Sequence, residues 1–176
     1  MVASMRIRIA AGRFNGHKIT LFSRYMDSYP QLNFPAVKLR AERRNGQVFV
    51  WDALRGCWLL LTPEEWVRRH VVEYLRDGWN IPAVNIIQEY PVSVEGMPQR
   101  ADIVVVNNDQ KPVMLVECKA PEIKITSGVL DQAVRYNNVI GARYILITNG
   151  LKHYSYCSYD GVKYIRMDSF PELDLS

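Results

Sequence analysis

The chain is predicted to form an α/β domain in which helices flank a central mixed sheet, ordered helix, three strands, helix, strand, with a β-hairpin region in front. Three observations predict it. Residues 100–119 hold two β-branched runs, Ile103-Val104-Val105-Val106 and Val113-Met114-Leu115-Val116, split by the turn-forming stretch Asn108-Asp109-Gln110-Lys111. Both runs are apolar on both faces, as strands covered on two sides are. Helical patterns lie before and after this pair, with their own start and stop signals.

At 176 residues the chain fits one domain, and 48% hydrophobic with 23% charged residues is a globular composition. No apolar run reaches the length of a membrane span. Cys57, Cys118 and Cys157 are scattered and odd in number, which reads as reduced thiols of an intracellular, cytoplasmic protein. The net charge of +4 is no argument for a nucleic-acid-binding core. Arg6, Arg8, Arg13, Lys18 and Arg24 stand in the acid-free residues 1–26, leaving 17 basic against 18 acidic residues in the remainder.

Taken in order, residues 1–30 read as a basic, disordered arm with Met26 as the natural beginning. Residues 31–61 read as a hairpin extension packed on the core. Asn45-Gly46 joins two β-prone runs, and a second turn at Arg55-Gly56 leads to Trp58-Leu59-Leu60-Leu61. Lys38, Arg40, Arg43 and Arg44 cluster here, as a solvated hairpin tip or a phosphate-facing patch.

Residues 62–170 hold the main domain. Thr62 is an N-cap, Pro63 takes the first helical position, and Glu65 closes a capping box. Trp66, Val67, Val71, Val72 and Leu75 form the apolar stripe until Asp77-Gly78. Glu65 and Glu73 are candidates for an extra acid near the site. A strand over Ile87–Val94 ends in Glu95-Gly96, and Glu89 is either exposed or close to the site. After Lys119, Ala120-Pro121 stops the strand. A helix runs from Ser127 to Ile140, with Gln132 and Tyr136 on one stripe. Arg143–Thr148 is a buried strand, and Lys152–Tyr159 with Val162–Met167 forms a hairpin around a type I′ Asp160-Gly161 turn. Residues 171–176 read as a short acidic tail.

The chemistry concentrates between Arg100 and Lys119. If Asn107 faces Pro112, antiparallel register sets Asp102 opposite Glu117, and alternation puts Asp102, Glu117 and Lys119 on one face. Two adjacent carboxylates at a sheet rim are costly unless a cation binds between them. Mg²⁺ suits such a pair, since it takes few carboxylate oxygens, keeps waters and binds phosphate. Without a metal, the pair reads as a sheet edge where Arg100 and Lys119 neutralise the acids.

Four motifs in this order resemble the PD-(D/E)xK nuclease superfamily: Arg100-Ala101-Asp102-Ile103, Val116-Glu117-Cys118-Lys119-Ala120-Pro121, Gln132 with Tyr136, and Ile145-Leu146-Ile147-Thr148-Asn149-Gly150. Together they look like the N-terminal nuclease domain of type I restriction enzyme R subunits, and Leu61–Arg68 looks like the opening helix of small stand-alone members. The resemblance spans residues 33–156 and implies a restriction-endonuclease-like αβββαβ core. It implies Mg²⁺- or Mn²⁺-dependent DNA cleavage, with Asp102 and Glu117, and Glu65 as a further candidate, on the metal. Lys119 would position water, and Gln132, Tyr136 and Arg100 would support the site and the DNA backbone. Ala101 stands where the motif has proline, which the superfamily tolerates. The chain has no Gly-x-x-x-x-Gly-Lys-Ser/Thr loop for an ATP-driven motor. The partners implied are therefore DNA, other restriction-system subunits or a second copy in a homodimer. The competing reading is a catalytically silent binding module of the same fold, and a weaker one is an enzyme on RNA or repair intermediates.

Overall fold

The structure, a computed structural model, describes residues 29–176. The expected arm lies outside the described residues, apart from Tyr29 and Pro30. Those two are packed: the Tyr29 ring lies 5.4 Å from that of Trp66, and the Trp66 indole donates to the Pro30 carbonyl.

Strands β1 (Ala41–Arg44), β2 (Gln47–Asp52) and β3 (Cys57–Leu60) form an antiparallel three-stranded sheet. Asn45 and Gly46 take φ of 49° and 81°, the two left-handed residues that a tight hairpin turn demands. Val50 and Leu39 point into the main core, whereas Arg40 lies over Trp51 and Trp58, and Arg44 over Phe49 and Trp58.

Helix α1 spans Pro63–Glu73 and widens into a π turn over Tyr74–Gly78. A Cβ on Gly78 would lie 2.7 Å from the Tyr74 ring, so the stop requires glycine. The Thr62 hydroxyl accepts the Glu65 amide, as the cap predicts. The reciprocal half of the box is absent, because the Glu65 side chain turns inward to arginines.

The main sheet follows, in the order β4 (Ile86–Val94), β5 (Met97–Val106), β6 (Pro112–Cys118), β7 (Tyr144–Thr148), β8 (His153–Cys157) and β9 (Ile165–Met167), with helix α2 (Ser127–Ile140) joining β6 to β7. It is mixed: β6 and β7 are parallel and every other pair is antiparallel. One face packs α1 through Val67, Val71 and Leu75 onto Ile103, Val105, Met114 and Val116. The other packs α2 through Ala133 and Tyr136 onto Val104, Val106, Leu115 and Ile147. No helix among the described residues is long and apolar enough to cross a membrane.

Two turns differ from expectation. Val106, not Asn107, pairs with Pro112, and Val105 pairs with Met114, so Val113 is a spare, bulged residue. It packs toward the α1 side rather than beside Leu115. Beyond it the expected register returns, with Ile103 opposite Val116. The β8–β9 connection is also longer than a two-residue turn, because only Gly161 of the Asp160-Gly161 pair has positive φ. Asp160 acts instead through its carboxylate, which accepts the amides of Val162 and Lys163. Residues 171–176 lie against the fold: Leu173 and Leu175 pack on the core, and the Leu175 carbonyl accepts the Asn108 amide.

Candidate active site at the β5–β6 rim

Asp102, Glu117 and Lys119 meet where the β5–β6 ladder ends. Glu117 is the next to last residue of β6 and its side chain is buried, with Lys119 Nζ 2.7 Å from Oε1. Lys119 also donates to Gln132 Oε1 at 3.3 Å, and Gln132 Nε2 donates to the Tyr136 hydroxyl at 3.3 Å. That hydroxyl reaches Gln99 Oε1 at 3.5 Å. One turn of α2 thus looks back over the end of β6.

Asp102 departs from strict alternation. Ala101 and Ile103 should share a face, yet Ala101 packs on the α2 side and Ile103 on the α1 side. The neighbouring strand carries the cause: between the pairs Gln88–Ile103 and Tyr90–Ala101, Glu89 has a φ of 52° and breaks the ladder opposite Asp102. Asp102 is thereby turned so that one carboxylate oxygen, Oδ2, accepts the Cys118 backbone amide at 2.7 Å and the other, Oδ1, meets Arg68 Nη2 of α1 at 2.7 Å. The expected single face becomes a rim, with Asp102 leaning to α1 and Glu117 to α2.

Burial raises the Glu117 pKa and the Asp102 charge raises it further, to about 7, against the opposing Lys119. Lys119 is held more firmly protonated than usual, since the Glu117 hydrogen bond and charge outweigh its partial burial. Burial and then the Asp102 charge raise Glu64 as well.

Arg68 sits at the centre of the acids. It pairs with Asp102, with Glu65 Oε2 at 2.9 Å, with Glu64 at 3.1 Å and with Glu89 at 3.3 Å. Burial opposes its charge, but Asp102 and Glu65 hold the guanidinium more firmly protonated than usual. Glu65, the sequence candidate for a third metal ligand, is instead directed into the core, where Arg68 and Arg69 take its two oxygens. Glu64, one residue earlier and half-exposed, is the helix acid within electrostatic reach of both Asp102 and Lys119. Glu73 pairs with Arg76. Arg100 pairs with Glu89 at 2.9 Å and is largely exposed, so it does not neutralise Asp102.

The type I restriction enzyme R protein N terminus matches residues 63–171, more than half of the chain and all of the rim just described. The chain belongs to that family. Among solved structures it is similar to a fragment of a proposed HsdR subunit of a type I restriction enzyme from Vibrio vulnificus YJ016, at 22% identity and a TM-score of 0.49. That similarity covers 63% of this chain and 24% of the other, so the chain corresponds to about a quarter of that structure's length. No curated protein matches it.

Within this R-protein N-terminal domain, Asp102 and Glu117 are carboxylates from adjacent strands, and the Asp102 charge opposes ionisation of Glu117. Among the described residues no group of three or more His, Cys, Asp and Glu is arranged to hold a metal. Sequence reasoning missed Arg68 and Glu64. Their signal is present in Glu64-Glu65-Trp66-Val67-Arg68-Arg69, two acids each followed four residues later by an arginine on the same helix face.

Proposed function

We propose that this chain is a divalent-metal-dependent DNA endonuclease of the PD-(D/E)xK superfamily, with a restriction-endonuclease-like core over residues 62–170. The observation that carries the reading is the Lys119 ammonium 2.7 Å from buried Glu117, whose ionisation the nearby Asp102 charge opposes. Asp102 and Glu117 would hold Mg²⁺ or Mn²⁺, which lowers the pKa of bound water and stabilises charge on a scissile phosphate. Lys119, fixed between Glu117 and Gln132, presents an ammonium group where an attacking water would sit. Gln132, Tyr136 and Gln99 form a polar line away from it, suited to a DNA backbone phosphate. The family supports work beside other restriction-system subunits, for which the cytoplasm is the proposed location.

The test is incubation of the purified protein with plasmid and linear DNA in Mg²⁺ or Mn²⁺, beside Glu117→Ala and Lys119→Ala. Cleavage lost in both variants supports the reading, and cleavage retained in both, or absent throughout, overturns it. One observation favours the silent binding module instead: both Asp102 oxygens are already engaged, one by a guanidinium and one by a backbone amide. Tight DNA binding without turnover is its signature.

A further inference from the structure

Asp52 closes β2, outside the segment matched by the family, and its side chain is fully buried. Its Oδ1 accepts the backbone amides of Leu54 and Arg55 at 3.0 and 3.1 Å, so the carboxylate is fixed to the β2–β3 turn. Its Oδ2 lies 2.7 Å from Arg69 Nη1. Gln88 braces this pair, donating to Asp52 at 3.1 Å and accepting from Arg69. Arg69 Nε lies 2.7 Å from Glu65 Oε1, Glu65 Oε2 lies 2.9 Å from Arg68 Nη1, and Arg68 Nη2 lies 2.7 Å from Asp102 Oδ1. The result is an unbroken line of alternating charge from a turn of the N-terminal sheet to the rim of the main one.

Such a line is a poor way to gain stability. Each buried ion loses its hydration, and apolar side chains of the same volume serve a core as well or better. What the line does supply is placement. Glu65 lies between two arginines, hydrogen-bonded to Arg68 and attracted by charge alone to Arg69, and Arg69 is in turn set by the Asp52 charge and the Gln88 hydrogen bond.

We infer that Asp52 is a positioning residue for Asp102, acting through Arg69, Glu65 and Arg68. The three-stranded sheet is therefore part of the working unit, and the family-matched segment without β2 lacks the anchor of its own rim. The line holds whatever the rim does; its bearing on catalysis rests on the nuclease reading.

The Cys118 amide donates to Asp102 Oδ2, so its proton shift in the metal-free full chain follows the position of that carboxylate. Asp102→Ala sets the scale by removing the acceptor, and an upfield shift is expected. Asp52→Asn, which keeps Oδ1 for the Leu54 and Arg55 amides, is expected to move the Cys118 proton in the same direction by a fraction of that displacement. Added to Asp102→Ala, it is expected to move it no further. Val50→Ala, a core truncation on the same strand, lowers stability and leaves the Cys118 shift in place. Gln88→Met loosens the brace at a less buried position, and the same but smaller shift is expected should Asp52→Asn fail to fold. A Cys118 proton unmoved by the Asp52 or Gln88 variant, while Asp102→Ala moves it, overturns the inference. Since neither metal nor DNA is needed, a chain that cuts nothing removes the nuclease reading and leaves this result standing.

Discussion

Arg68 Nη2 lies 2.7 Å from Asp102 Oδ1, and the guanidinium also reaches Glu64, Glu65 and Glu89. One cation of α1 thus balances acids from α1, β4 and β5. The rim is electrostatically closed from the α1 side, while on the α2 side Lys119 is the one cation paired with Glu117 among the described residues.

Removing that cation strands buried carboxylates. Arg68→Ala is expected to cost about 3 kcal/mol. Arg68→Lys is expected to recover less than half, since a point ammonium cannot span several acids as a planar fork does. Urea unfolding at neutral pH measures both, and full recovery by lysine contradicts the bridging role.

Glu117 makes stability depend on pH. Its folded pKa, about 7, lies above the ordinary carboxylate value, so between roughly pH 4.5 and 7 the folded chain binds the proton more firmly than the unfolded chain. Its contribution is therefore most favourable below that window and is lost as pH rises through it. Glu117→Gln is expected to raise stability near pH 8 by about 1–2 kcal/mol, after allowing for the lost Lys119 contact, and by little near pH 4.5. Thermal unfolding at the two pH values checks this; an equal change at both counts against it.

The same proton competes with metal. Under the proposed function, Mn²⁺ affinity weakens by about tenfold per unit as pH falls below 7, because the ligand must be deprotonated. Calorimetric titration across pH 5.5–8 measures the slope, and a flat profile removes Glu117 from the ligand set.

Lys119 is separable from binding. Lys119→Ala is expected to slow cleavage by about 100-fold or more while leaving Mn²⁺ affinity within a few-fold. Gln132→Ala, which leaves the lysine its Glu117 contact, is expected to cost less. Single-turnover rates beside metal titrations distinguish the two roles.

Gly150 is a structural control just past the end of β7, where its amide donates to the Thr148 hydroxyl. It has a φ of +80°, and a Cβ there would lie 2.6 Å from Leu32. Gly150→Ala is expected to destabilise by about 1–3 kcal/mol with cleavage rates unchanged below the new melting point.

The fold was legible because local and global signals agree. The Thr62-Pro63 start, the two-sided apolar runs of β5 and β6, and Ser127–Ile140 each specify their element without help from the rest. The shared face of Glu117 and Lys119, and that of Gln132 and Tyr136, were legible too, being set by spacing within one strand and within one helix, whereas the contact between them depends on packing. Asp102 was misplaced because alternation is a rule for undistorted strands, and the distortion comes from Glu89 on the neighbouring strand. Glu65 was misread for a different reason. A capping role explained it from sequence, whereas its charge is consumed by Arg68 and Arg69, whose burial no periodicity announces.

Val113 gives β6 one residue more than its partner strand needs, between the connecting loop and the acids. Deleting it leaves Met114 against Val105 and keeps Glu117 at its post, so the hairpin can shorten by one without touching the chemistry. Deleting one residue between Met114 and Val116 has the opposite effect, turning Glu117 into the oily layer under α1. Shortening this chain on the loop side of Met114 is thus expected to leave the acids in place, and shortening it on the other side to displace them.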